Sequence, residues 1–432
     1  MISKIAWMTP WNGRSAIANF SAHIVRELRE RGCRVQIVRT ESAEGLALAP
    51  LDDIEPVLSL AHIAPESLAC DALVANIGNY FPYHGALPGF MDEHPVLGIF
   101  HDGFLADFAA AWADGTNGGN ITPTQLASAV YGDLGPGPYW LPLVKMAEER
   151  SMLEWLSPMV SGAVVHSNSW AARLRESCPG DVLVRPLAMP DDNMPPPPEP
   201  RDDRLVVASI GYVNPNRQAE QVLYALASHG ELRRRCEFRL IGPVTSETRV
   251  ALESLALDLG LRRPSFTGWV EDAELRRLMA TVDVLCCLRY PILETGSASL
   301  ITAMRSARPV LVSDHGGYAD VPGDLVYRCS PGAEALDVAK HLLAIMNDRA
   351  AAAARGVRAR SYSLDVNSAR HYVDGLLPAL ARAAAAAPMV RSARNLGKQI
   401  GGLGLPADNE TARRLESQLS AMFGEYPESG DA

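Results

Sequence analysis

Four consecutive prolines, Pro195 to Pro198, divide this chain. They lie within residues 189–203, MPDDNMPPPPEPRDD, a segment that fits neither a sheet nor a helix interior, because each proline lacks an amide donor and fixes φ. The composition predicts a stiff, extended spacer. Whatever folds on either side must then bury its own core. The chain has 432 residues, so both sides are long enough for a domain: 1–188 before the spacer and 204–364 after it.

Both sides show the same rhythm. Short apolar runs at 4–8, 34–39, 72–76, 95–100 and 162–166 predict buried strands. Residues 16–31 carry Ile17, Phe20, Ile24 and Leu28 at helical spacing, with Gly32 as a stop. Beyond the spacer, strands at 205–210, 237–241, 265–268, 282–288 and 309–313 alternate with helices at 218–228, 248–260, 274–281 and 297–306. This alternation predicts an α/β protein: two Rossmann-like, doubly wound parallel-sheet domains facing across a cleft. Ligands of such sheets bind beyond the carboxyl ends of the strands. Residues 365–387 read as a final helix stopped by Pro388, and 388–432 as a peripheral tail with an amphipathic stretch at 411–423.

Charge excludes one class of partner. Lys and Arg number 40 against 50 Asp and Glu, too acidic for a nucleic-acid surface. Residues 1–190 hold 12 basic and 20 acidic side chains, the remainder 28 and 30, so the second half is the better host for an anion. No run approaches the ~18 apolar residues of a membrane span, and the N-terminus lacks a signal-peptide layout. Seven scattered cysteines without a C-x-x-C pair read as reduced thiols. A cytoplasmic protein is expected.

Several motifs are missing. There is no G-x-G-x-x-G between strand and helix and no G-x-x-x-x-G-K-[ST], which argues against a nicotinamide dehydrogenase and a P-loop enzyme. There is no D-x-D to hold a divalent metal on a diphosphate. Other loops carry more. Glu294 precedes Thr295-Gly296-Ser297, which opens a helix whose free amides suit a phosphate. A carboxylate there either faces neutral sugar hydroxyls or caps the helix. Arg217, at another helix start, either pairs with phosphate oxygens or is a solvated arginine. The turn at 266–270, ending at Val270, either presents backbone to a flat base or is a tight turn with core aromatics. His101 and Asp102 end a strand of the first half, where a lone core histidine would be odd. Asn79, His84, Gly13 and Arg14 lie on neighbouring loops.

In order, Pro10-Trp-Asn-Gly13, Gly78-Asn79, His101-Asp102, Val165-His-Ser167, Gly211 through Arg217, Ile241-Gly242, Phe266-Thr-Gly268, Asp283, Leu288-Arg-Tyr-Pro with Glu294-Thr, and Pro309 through Asp314 resemble glycosyltransferase family 4. The likeness covers about residues 1–375. It implies the GT-B fold, with a crossover helix at 365–387 returning to the first domain. It also implies a retaining transfer of a hexose from a UDP- or GDP-linked sugar to a hydroxyl, in surface polysaccharide or glycolipid synthesis. His101, Asp102 and Glu294 become the catalytic candidates. Gly211, Asn216, Arg217, Val270, Thr295, Gly296, Ser297 and Thr302 become donor contacts. Asn12, Gly13, Arg14, Asn79 and His84 fall on the acceptor and phosphate side. The family works without a bound metal or cofactor.

Two positions depart from the common pattern. Thr302 stands where many members carry a second, ribose-binding glutamate, and Tyr212 lies near the place of a pyrophosphate arginine. A subgroup with the Arg-Tyr-Pro…Glu-Thr loop shares the first departure. Relatives acting on lipid-linked saccharides imply weak contact with the inner face of the cytoplasmic membrane. Arg26, Arg29 and Arg31 are the residues for it, unless they form an ordinary solvated helix face. The rival readings are a non-catalytic sugar-nucleotide-binding scaffold and a sugar-nucleotide epimerase.

Overall fold

The computed structural model describes residues 2–64, 68–116, 121–134, 139–191, 193–199 and 204–402, together with Glu410, Arg414 and Ser417. Two parallel sheets organise the chain. The first has seven strands: β1 (Lys4–Thr9), β2 (Arg34–Arg39), β3 (Leu58–Ser59), β4 (Ala72–Ile77), β5 (Val96–Phe100), β6 (Val160–Val165) and β7 (Val182–Val184), in spatial order β3-β2-β1-β4-β5-β6-β7. The second has six: β8 (Leu205–Ile210), β9 (Cys236–Ile241), β10 (Ser265–Phe266), β11 (Val284–Cys287), β12 (Val310–Ser313) and β13 (Tyr327–Cys329), in order β10-β9-β8-β11-β12-β13. The order reverses direction between β1 and β4 and again between β8 and β11, so each sheet has one crevice at its carboxyl edge.

The central strands β1, β5, β6, β8, β11 and β12 are almost wholly buried, as sheets covered on both faces require. The helix Ala16–Glu30 buries Phe20, Ile24 and Leu28 on one stripe, and Ser15 caps it by accepting the Ala18 amide at 3.2 Å. Lobe one has an apolar core on each sheet face, one around Phe100, Phe104 and Phe108 and the other around Trp7, Ile24 and Tyr372.

The proline spacer does not hang free. Arg308, fully buried, donates to five carbonyls: Pro195 (3.0 Å), Pro196 (2.9 Å), Val282 (2.8 Å), Ser306 (2.7 Å) and Met279 (2.6 Å). A proline run offers acceptors but no donors, and this guanidinium uses them. Burial pushes its pKa down to about 10, which leaves it charged at neutral pH. Asp192 and residues 200–203 of the spacer lie outside the described residues.

The closing helix differs from expectation. The chain runs through Arg349–Val366, breaks at Asn367, and continues as Ala369–Gly402 straight through Pro388. Asn367 is a buried knot. Its side chain donates to the Leu187 carbonyl (2.9 Å), and its own carbonyl accepts from the Met189 amide (3.0 Å) and Arg305 (3.1 Å). Past Pro388 the helix is no loose tail. Arg394 and Lys398 both pair with Asp92 at 2.6 Å, so tertiary contacts outweigh the lost helical hydrogen bond. The amphipathic stretch expected at 411–423 falls outside the described residues, apart from Arg414 and Ser417. By length and composition 349–400 is apolar enough to cross a membrane. In the fold, however, Tyr372, Leu376, Leu380 and Ala383 are packed into the first lobe's core.

Candidate functional site

The two crevices face each other, and the lobes meet there through backbone. Asp102, just after β5, and Glu294, on the loop after β11, form an antiparallel bridge. The amides of Gly103 and Phe104 donate to the Leu293 carbonyl at 2.9 and 3.1 Å, and the Thr295 amide donates to the His101 carbonyl at 2.9 Å. Thr295 adds its hydroxyl to the Phe100 carbonyl at 2.6 Å. Gly296 makes this approach possible: a Cβ there would lie 2.9 Å from that of His166 and 3.0 Å from that of Leu187. The Thr295 amide, expected to face an anion, is therefore already committed across the lobes.

Beside this junction opens a cleft of about 770 Å³. Among the expected site residues, Asn79, His84, His101, Asp102, Glu294, Gly296 and Thr302 line it.

On the first lobe, a chain of polar contacts holds His101. Its Nε2 lies 3.0 Å from Asn76 Oδ1, its Nδ1 lies 3.3 Å from His166 Nε2, and His166 Nδ1 lies 2.9 Å from the Arg185 carbonyl. Asn76 spends its amide hydrogen on the Met8 carbonyl, so its oxygen faces His101 and needs a donor. The Arg185 carbonyl likewise needs a donor from His166. Two neutral rings then turn lone pairs toward each other, and one added proton would complete the chain. Burial opposes that proton. It drives His101 far below the ordinary histidine range, with His166 and His84 adding repulsion, and lowers His166 to about 4. His84 falls to about 3 for the same reason.

Asp102 accepts the Asn79 amide at 2.9 Å. Burial nonetheless pushes its pKa up to about 7, with the charges of Glu294 and Asp107 adding to the rise. Asn79 also caps the helix Ala106–Thr116, accepting the Phe108 amide at 3.0 Å and donating to Asp107 at 2.7 Å.

On the second lobe, Glu294 is oriented by two residues. Buried Arg289 reaches Glu294 Oε1 with Nε at 3.1 Å, and the Tyr318 hydroxyl reaches the same oxygen at 3.1 Å. Burial and the neighbouring carboxylate raise the Tyr318 pKa, so it stays a donor. Glu294 Oε2 has no partner among the described residues. Arg217 folds back over Gly211 onto the Ile210 carbonyl and lies 3.4 Å from the Ser299 hydroxyl. Gly211, at φ +106°, leaves room: a Cβ would fall 2.4 Å from the guanidinium. Burial and Arg289 lower the Arg217 pKa to about 10, so it too remains a cation.

Ser297 caps the helix Ala298–Arg305 by accepting the Leu300 amide at 3.4 Å. The amides of residues 296–299 have no partner among the described residues. Four free donors, the helix dipole and Arg217 thus meet at the carboxyl ends of β8 and β11, an arrangement suited to a polyanion.

Other expected residues stand elsewhere. Asn12 is buried and builds its own loop, donating to Glu41 at 3.1 Å and accepting the Arg14 amide at 3.1 Å. Neither it nor Gly13 or Arg14 lines the cleft. Val270 packs against the second lobe's core, and Asn216 uses its carbonyl to accept the Tyr290 amide at 2.8 Å. Arg289, Tyr318, Asn76 and His166 were not singled out from sequence as site residues. Arg289 and His166 fall within motifs already quoted, while Tyr318 and Asn76 gave no local signal. Among the described residues no three His, Cys, Asp or Glu side chains group as a metal would need.

Residues 191–362 match the family described as glycosyl transferases group 1. No curated protein matches the chain. Among solved structures, Anabaena HepE in complex with UDP and glucose aligns at a TM-score of 0.58 and 14% identity, over 87% of this chain and 100% of that one. Sucrose-phosphate synthase from Thermosynechococcus elongatus aligns at 0.59 and 16%, over 87% and 98%. WaaG, a glycosyltransferase involved in lipopolysaccharide biosynthesis, aligns at 0.54 and 14%, over 86% and 98%. The fold is GT-B.

Proposed function

We propose that this chain is a retaining glycosyltransferase of family 4 that moves a hexose from a nucleotide-diphosphate sugar to an acceptor hydroxyl. The observation that carries the reading is the cluster of unpartnered amides at 296–299 beside Arg217, with the free oxygen of Glu294 next to it. The diphosphate takes the amides and the guanidinium. Glu294, turned by Arg289 and Tyr318, accepts hydrogen bonds from the sugar hydroxyls. The UDP bound to HepE and the group 1 match over the second lobe support a nucleotide-linked donor.

The bond between the anomeric carbon and the diphosphate oxygen breaks, its electron pair leaving with the diphosphate. Preorganised donors aimed at that developing charge supply the largest share of such an acceleration. The acceptor hydroxyl attacks from the same face and passes its proton to a diphosphate oxygen. Asp102, across the cleft, stabilises the positive charge on the sugar ring when ionised. No resident metal or cofactor takes part, and the reaction runs in the cytoplasm, at the inner membrane face when the acceptor is lipid-borne. NMR of the product after incubation with UDP-, GDP- and ADP-linked sugars tests this: the anomeric configuration of the donor is expected in the product, and its inversion would overturn the mechanism.

A further inference from the structure

Two helices wall the mouth of the cleft, Ala16–Glu30 from the first lobe and Asp272–Met279 from the second, and their arginines are used selectively. Arg29 grips Asp53 with two bonds of 2.6 and 2.8 Å. Arg31, just past its helix, bonds Glu27 and Asp374, both at 2.7 Å. Arg277 holds Glu274 at 2.5 Å. Arg26 and Arg276 have no partner among the described residues, and these two line the cleft. Arg29 and Arg31, being ion-paired, do not join Arg26 in the free cationic helix face expected for membrane contact.

The surroundings do not cancel these charges. His23, one turn before Arg26, is held toward its neutral form first by burial and then by the charges of Arg26 and Arg305, against the weaker opposing pull of Glu27 and Glu30. Of the cleft's carboxylates, Glu294 has its Oε1 paired with Arg289, and burial pushes Asp102 up to about 7. Asp272 sits one turn before Arg276 but forms no ion pair with it. A lobe with 12 basic and 20 acidic residues in positions 1–190 had carboxylates to spare, yet leaves this guanidinium open.

We infer that the acceptor carries a phosphate ester, held in the cleft by Arg26 and Arg276. This rests on the transferase reading above, because it assigns a second substrate to the same cleft. A tetrahedral anion offers oxygens to both planar forks at once. Since one fork comes from each lobe, the ester also helps draw the lobes together.

The test is calorimetric titration, at low salt, of glycerol 3-phosphate and glucose 6-phosphate against glycerol and glucose, with UDP, GDP and ADP titrated separately. The phosphorylated probes are expected to bind in a salt-sensitive manner and their uncharged counterparts not to. Arg26→Gln and Arg276→Gln should each weaken that binding about tenfold or more while leaving UDP binding and the melting temperature unchanged. Equal binding of charged and uncharged probes, or binding indifferent to both substitutions, would overturn the inference while UDP binding stands. Arginine-dependent phosphate binding with no binding of UDP, GDP or ADP would instead overturn the transferase reading. Sedimentation with phosphatidylglycerol and phosphatidylcholine vesicles assigns the source: retention on the former alone, lost in Arg26→Gln, means a lipid headgroup, and no retention means a soluble ester.

Discussion

Arg289 decides what Glu294 can do. A carboxylate beside an anion site would repel the ligand; with Oε1 neutralised by a buried guanidinium and Tyr318, only Oε2 is left for hydroxyls. Asp102 is the opposite case, a carboxylate without a cation. Its folded pKa, about 7, lies above the unfolded value of 3.8, so the folded state binds this proton more tightly and stability falls as pH rises from about 4 to 7. The kcat/KM should rise through pH 7 as Asp102 ionises. Asp102→Asn should abolish that limb and lower the plateau by about 10²-fold, while equalling or exceeding wild type in melting temperature at pH 8. A limb that survives in the variant would remove Asp102 from the chemistry. The histidines run with the other sign. His166 titrates near 4 when folded against 6.5 unfolded, so stability drops as pH falls through that window, by on the order of 3 kcal/mol. Urea unfolding at pH 7 and 4.5 measures it, and His166→Asn should show a shallower loss.

At the level of elements, much was readable because it is local. Apolar runs of four to seven residues located the strands, and helical spacing with the Gly32 stop located the first helix. His101 stood out because it ends a buried strand, and Glu294 because it sits on the loop just before a helix start. The failures were long-range. Pro388 signalled a stop, but contacts to Asp92 carry the helix past it. Asn12 occupies a promising loop, yet Glu41 from beyond β2 claims its side chain. The Thr295 amide belonged to a phosphate site by sequence logic, and only the meeting of the lobes shows it bonded to His101. Gly296 is the element-scale test. Gly296→Val should clash with His166 and Leu187, leave each lobe folded by circular dichroism, and cut turnover about 10²-fold by misplacing the loop. Unchanged turnover would mean that the observed lobe contact is not the working one.

At the scale of the whole molecule, the chain is two tied sheets, the first completed by the final helix. Asn367, Arg305 and the carbonyls of Leu187 and Pro190 form the tie, and Arg308 fixes the prolines to the second lobe. Close to the tie, with Gly296 against Leu187, β5 and the Glu294 loop join by main-chain hydrogen bonds. Separation of the lobes would break the contacts at 101–104, which couples opening of the cleft to the position of Glu294. The account comes down to what occupies the free amides beside Arg217. A crystal structure with UDP bound measures this directly: the diphosphate is expected within hydrogen-bonding distance of the amides of residues 296–299 and of the Arg217 guanidinium. A diphosphate seated elsewhere, with those amides still unpartnered, would contradict it.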